Sequence, residues 1–188
     1  MRRGNWVGVG MAGLCLLAAC SDGGSGSAAK TTTTVSSTTS TTVAVTTTTT
    51  PEDAVRAAWT AYWAMIVRLA GAPDGTDPEL AERAGEPLLS ALRDDFTTQK
   101  SKGQRVIMSP GSRYDHRLDA VSVNGTSAVL AGCKIDDSTT IGPSGEVVDD
   151  SVITSNITAS FVLDGSVWKA VDVKFTNPTP GISGCANK

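Results

Sequence analysis

His116 is the only histidine in the 188-residue chain, and it stands beside Asp115. An imidazole oriented by a carboxylate is a common proton-transfer pair at neutral pH. Here the two are consecutive in β-forming sequence, so their side chains point to opposite faces and form no dyad in the ordinary way. An inward His116 would meet Tyr62 or an acid from another strand. The expectation is instead a surface histidine in the polar patch Arg113-Tyr114-Asp115-His116-Arg117. Asp136-Asp137 and Asp149-Asp150 flank the loop Gly142-Pro143-Ser144-Gly145, but they lack the alternating oxygen ligands and glycine of a calcium loop and read as solvated strand ends. Two isolated cysteines, Cys133 and Cys185, and one histidine give no metal-ligand spacing, so no metal is expected. Ser109-Pro110-Gly111-Ser112 is a turn, and the chain holds neither a nucleophile elbow nor a phosphate loop.

These residues must be held by elements that the pattern foretells. Thr50 as cap, Pro51 in the first turn and the acids Glu52 and Asp53 announce a helix. Val55, Trp59, Tyr62, Trp63, Ile66 and Leu69 continue it at three- and four-residue spacing to about Gly71. A short helix is predicted from Pro78 to Ala84, and a third from Pro87 through Leu88, Leu89, Leu92 and Phe96 toward Gly103. Beyond Gly103 the period changes to two. Strands are predicted over Arg105 to Met108, Tyr114 to Val123, Ser127 to Asp136, Val147 to Leu163 with a break near Asp149-Asp150, and Val167 to Phe175. Asn124-Gly125 and Asp164-Gly165 are hairpin turns. Ile153, Ile157, Ala159, Phe161 and Leu163 share one parity and Thr154, Asn156, Thr158 and Ser160 the other, as in an antiparallel sheet with one buried face. Helices first and an antiparallel meander after them argue an α+β class.

The N-terminus has a different design. Arg2-Arg3, an apolar run from Trp6 to Leu17 and small residues before Cys20 have the layout of a signal peptide, too short to be a stable membrane span. Leu17-Ala18-Ala19-Cys20 resembles the lipobox of bacterial lipoproteins. The resemblance implies cleavage before Cys20, a diacylglycerol thioether and palmitate on that cysteine, and a lipid-anchored location at the extracytoplasmic face of the cell membrane. Acyl chains contributing about 0.8 kcal/mol per buried methylene anchor a protein without any basic patch. Residues 1–19 are then the signal peptide, 20–50 a disordered Thr/Ser-rich tether with a reach of roughly 30 Å, and 51–188 the folded domain. The tether threonines are candidate carriers of O-linked sugars. Losing Arg2 and Arg3 lowers the 16 basic residues to 14 against 19 acidic ones, a net of −5, which argues against nucleic acid as a partner. With Cys15 removed and Cys20 acylated, Cys133 and Cys185 remain, and an oxidising exported compartment favours their disulfide, worth roughly 4 kcal/mol in the chain-entropy account. Cys133 shares parity with Val129, Ala131 and Ile135 and is expected on the apolar face. Cys185 lies in a Pro- and Gly-containing tail expected to be neither helix nor strand, which the bridge would staple over the sheet or across its mouth.

Over residues 51 to 175 the chain resembles the NTF2-like (SnoaL-like) superfamily. The likeness lies in the aromatic first helix, the further helices before the sheet, and the hairpin Asp164-Gly165-Ser166-Val167-Trp168-Lys169-Ala170-Val171-Asp172. One departure is that 105–108 is the sole early-strand candidate. The resemblance implies N-terminal helices packed on a bent antiparallel sheet that forms a cone. The superfamily holds acid–base enzymes acting on carbonyl compounds as well as non-catalytic binding and assembly modules, so fold alone does not choose between them. For an enzyme, it implies a base deep in the cone, with His116, Asp119 or Asp172 as the candidates here. Trp59, Tyr62 and Trp63 would line a wide cavity or otherwise fill the core. These candidates assemble no catalytic set, and no cofactor is implied. The reading is a non-enzymatic binding or accessory module at the cell envelope, for an apolar small molecule or an envelope protein. Its alternatives are a SnoaL-like acid–base enzyme and a structural subunit of an envelope complex. Pairing into a homodimer stays open.

Overall fold

The computed structural model of the chain describes residues 49–185. The lipobox with Cys20 and nearly all of the Thr-rich segment lie outside the described residues, as does the side chain of Cys185. Helix α1 spans Pro51–Gly71. The Thr50 hydroxyl accepts from the Asp53 amide at 3.1 Å, closing the first turn, while Arg68 in the last turn reaches Asp77 at 2.9 Å and Glu79 at 2.8 Å. Helix α2 is Glu79–Arg83 and α3 is Leu88–Ser101, both within the predicted stretches. Gly103 then takes a φ of 63°, which suits a residue without Cβ just past a helix end.

Seven strands follow: β1 Arg105–Ile107, β2 Asp115–Asn124, β3 Ser127–Asp136, β4 Thr139–Ile141, β5 Val147–Asp149, β6 Ile153–Asp164 and β7 Val167–Pro180. They form two antiparallel sheets, ordered β1-β4-β5 and β2-β3-β6-β7. Asn124 pairs with Ser127 and Asp164 with Val167, so each predicted hairpin closes on a two-residue loop, with Gly125 at φ 58° and Gly165 at φ 63°. The helices pack against the sheets, which makes the protein α+β. Their contact is an apolar core in which Val55, Trp59 and Leu69 of α1 and Phe96 of α3 meet Leu130, Ile157, Ala159, Phe161 and Ala170 of the larger sheet. The turn after α2 is tied to the β7 edge by the Gly85 amide, which donates to the Ala170 carbonyl at 2.8 Å.

Three expectations are corrected. β3 buries Ala128, Leu130 and Gly132 toward the helices, while Val129 is 51% exposed and Ala131 also faces out, so Cys133 is buried on the side away from the helices. Its cover there is the C-terminal tail. The tail is also more regular than expected, since β7 continues through Pro178 to Pro180 and Ser183–Cys185 form a 3₁₀ turn. Proline is tolerated because β7 is an edge strand, and a bulge that places Asn177 at φ 52° absorbs the extra residue opposite Ser155. Finally, Thr154 belongs to the wet parity of β6 yet is 2% exposed, whereas Ile153 is 37% exposed. The tail covers Thr154, whose hydroxyl donates to the Gly181 carbonyl at 2.6 Å.

Candidate functional site

Between α1, α3 and the helix-facing side of the strands lies a cavity of about 330 Å³. Tyr62, Trp63, Ile66 and Ala70 reach it from α1, and Leu88, Leu92, Asp95, Phe96 and Gln99 from α3. The strand side contributes Val106, Tyr114, Lys134, Asp136, Val173 and Phe175. The helical residues recur at three- and four-residue spacing, which gives each helix one apolar face to present. Lys134 and Asp136 are two apart on β3 and share the inward parity with Leu130, so pleating alone carries a charged pair to the helix side.

That pair organises the polar end. Lys134 Nζ lies 2.7 Å from Asp136 Oδ2, with its side chain 15% exposed. Three rings surround the ammonium, with centroids at 4.9 Å for Phe175 and 5.3 Å for both Trp63 and Tyr114. Asp136 Oδ1 also accepts from the Ser138 hydroxyl at 2.6 Å and from its amide at 3.2 Å. Burial works to raise the Asp136 carboxyl, but the hydrogen bonds from Lys134 and Ser138 outweigh it and hold the group below its ordinary value. Burial pushes the phenols of Tyr62 and Tyr114 up, so both remain neutral donors. Two further polar atoms of the lining residues, Trp63 Nε1 and Gln99 Oε1, are buried without a hydrogen-bond partner.

His116 is not the surface residue expected. It is half-buried on the inward side of β2, stacked on Trp63 at 5.2 Å, and its Nδ1 is buried without a partner. Its backbone carbonyl accepts from Trp59 Nε1 at 3.1 Å. Burial lowers its pKa, Asp115 opposing and Lys134 assisting, so the ring is neutral near pH 7. It lines a separate open cleft with Arg56, Trp59, Thr60 and Leu118, not the cavity between α1 and α3. Asp119 sits at a β2 bulge and pairs with Arg117 at 2.9 Å, while Asp172 pairs with Lys174 at 2.7 Å. The three candidate bases are therefore not brought together. Of the aromatic trio, Tyr62 and Trp63 line the cavity, and Trp59 is core at 2% exposure. One acid of each pair at the strand ends serves as a local cap: Asp137 accepts from Ser112 and the Arg113 amide, and Asp149 from Ser151.

The sequence singles out neither Lys134, Gln99 nor Phe175, and two expectations are corrected: Asp136, expected as a solvated strand end, and Tyr114, expected in a surface patch, both line the cavity. The one available signal was a lysine and an aspartate on the parity of Leu130. Inside the cavity the Asp136 carboxylate is tied to Lys134 and Ser138, and His116 lies outside the lining.

No family model and no curated relative matches the chain. Among solved structures, the intermembrane-space region of the chloroplast protein ARC6 aligns with a TM-score of 0.53 at 19% identity, covering 67% of this chain and 96% of that one. A Kribbella flavida protein aligns with a TM-score of 0.45 at 12% identity, over 67% of this chain and 90% of its own. The ARC6 likeness is one of fold, an α+β arrangement of helices on antiparallel strands.

Proposed function

We propose that this chain is a lipid-anchored extracytoplasmic lipoprotein whose folded part, an NTF2-like cone, is a non-enzymatic binding module for a small, largely apolar molecule. The observation that carries the reading is the 330 Å³ cavity with aliphatic and aromatic walls and its few polar groups gathered around Lys134 and Asp136. That size and that balance of wall chemistry are those of small-molecule sites. Acid–base turnover has less support, because Asp136 with its lowered pKa is a weak base and His116, Asp119 and Asp172 lie outside the lining. The anchor rests on Leu17-Ala18-Ala19-Cys20, with residues 20–50 as the tether to the membrane.

A Cys133–Cys185 disulfide belongs to the same reading. In its support, Cys133 is buried on the face that the tail covers, and the 3₁₀ turn that carries Cys185 packs on β3 and β6.

Calorimetric titration of the full chain with decyl-chain compounds tests the cavity. Saturable one-to-one binding is expected, and Leu92→Trp, which fills the cavity from α3, should abolish it while leaving the circular dichroism unchanged. A flat titration across the series, or binding indifferent to Leu92→Trp, rejects the reading. For the anchor, Cys20→Ala should end palmitate labelling and release the protein from the membrane; labelling that persists rejects it.

A further inference from the structure

We infer that the cavity receives an organic cation, an alkylammonium amphiphile whose charged head enters the ring of aromatics now holding Lys134 Nζ; this rests on the binding-module reading above and names its ligand class. Charge selects the class. Among the described residues that line the cavity, Lys134 is the sole base, against the two acids Asp95 and Asp136. With Lys134 in place the lining sums to a net negative charge, and with Lys134 turned out to solvent it is more negative still. A fatty carboxylate would enter against that field, whereas an ammonium enters with it.

Geometry points the same way, because an ammonium already occupies the spot. Lys134 Nζ stands 2.7 Å from the Asp136 carboxylate and 4.9 to 5.3 Å from the centroids of Phe175, Trp63 and Tyr114. Ring faces and a carboxylate replace the water that a cation leaves behind, which is the known chemistry of quaternary ammonium recognition. When a ligand head takes the place of Nζ, Asp136 exchanges one cation for another and is never left buried and unpaired. Phe175, 47% exposed, marks the side on which the flexible Lys134 stem can carry its own charge to water. Gln99 Oε1, a buried acceptor without a partner, stands one helical turn from Asp95 on α3 and adds to the negative potential of the wall. The alkyl tail then runs along Ile66, Ala70, Leu88 and Leu92. Lys134 is thus an internal competitor for the site it lines.

The test titrates decyltrimethylammonium, decanoate and decanol, each below its micellar concentration, into the full chain and into Lys134→Met and Phe175→Leu. The cation should bind and decanoate should not. Lys134→Met, with the competitor gone, should bind the cation roughly tenfold tighter. Phe175→Leu removes one ring at an exposed position and should weaken the cation by roughly threefold while leaving decanol unchanged. Should Lys134→Met fail to fold, Phe175→Leu decides alone. Decanoate binding that is lost in Lys134→Met, or decanol binding more tightly than the cation, overturns the inference and leaves the binding module standing. None of the three probes binding overturns both.

Discussion

Trp59 and Trp63 lie one turn apart on α1, are 2% and 3% exposed, and pack edge to face at 5.4 Å. Only one of them has a partner for its indole N–H. Trp59 Nε1 donates to the His116 carbonyl at 3.1 Å, whereas Trp63 Nε1 is buried with none. Changing either to Phe removes the same part of an indole, and the shared loss of buried volume costs about 1–2 kcal/mol. Trp59→Phe loses a hydrogen bond as well, about 1 kcal/mol. Trp63→Phe loses no hydrogen bond and removes a buried donor whose desolvation costs about 1–3 kcal/mol. Against that gain stands a weaker ring contact with His116 at 5.2 Å and with the Lys134 ammonium at 5.3 Å, together about 1 kcal/mol. The net expectation is a loss of about 2–3 kcal/mol for Trp59→Phe and about 1 kcal/mol or less for Trp63→Phe. Urea melts followed by far-ultraviolet circular dichroism avoid the emission changes that the substitutions themselves cause. With a slope of about 2 kcal/mol per molar, the two midpoints should differ by roughly 1 M. Equal midpoints, or a lower one for Trp63→Phe, would refute the assignment of partnered and unpartnered indoles.

The pH dependence of stability follows from His116. Its folded pKa lies below the ordinary value of 6.5, so the stability it contributes is present above that value and is lost as pH falls through it toward the folded value. Melting temperature should decline between pH 7.5 and pH 5.5, and His116→Gln should flatten the decline; an unchanged slope in the variant excludes His116 as its source. Thr154→Val keeps the shape of a 2% exposed side chain but deletes its bond to the Gly181 carbonyl, which should cost about 1–2 kcal/mol. Amide exchange over residues 181–185 should quicken with it, and protection that stays at the wild-type level shows that this bond does not hold the tail. At Asn177, where φ is 52°, Val should lower the melting point while Gly leaves it within error; equal effects of the two would remove the left-handed backbone as the reason for asparagine there.

Where one physical preference dominated, the sequence was readable. α1 begins and ends where its threonine cap and apolar stripe say it should, and both hairpins close on the predicted glycines, because capping and turn geometry are decided within a few residues. β3 was misread because both its parities are apolar. Val129, Ala131, Cys133 and Ile135 outnumber Ala128 and Leu130, yet the helices cover Leu130, and a tail some 50 residues downstream covers Cys133. No local rule reports that second cover, so parity counting gave the strand the wrong inner face. The same inversion hid the cavity. With Leu130 taken as inward, Lys134 and Asp136 fall on the helix side as well, and two charges on a core-facing row are costly unless they pair and keep a polar opening beside them. The ion pair at 2.7 Å and the cavity next to it meet both conditions. A charged pair set among the apolar residues of an inner strand face is therefore the sequence trace of this cavity, and it becomes legible only after the register of β3 against β6 has fixed which face is inner.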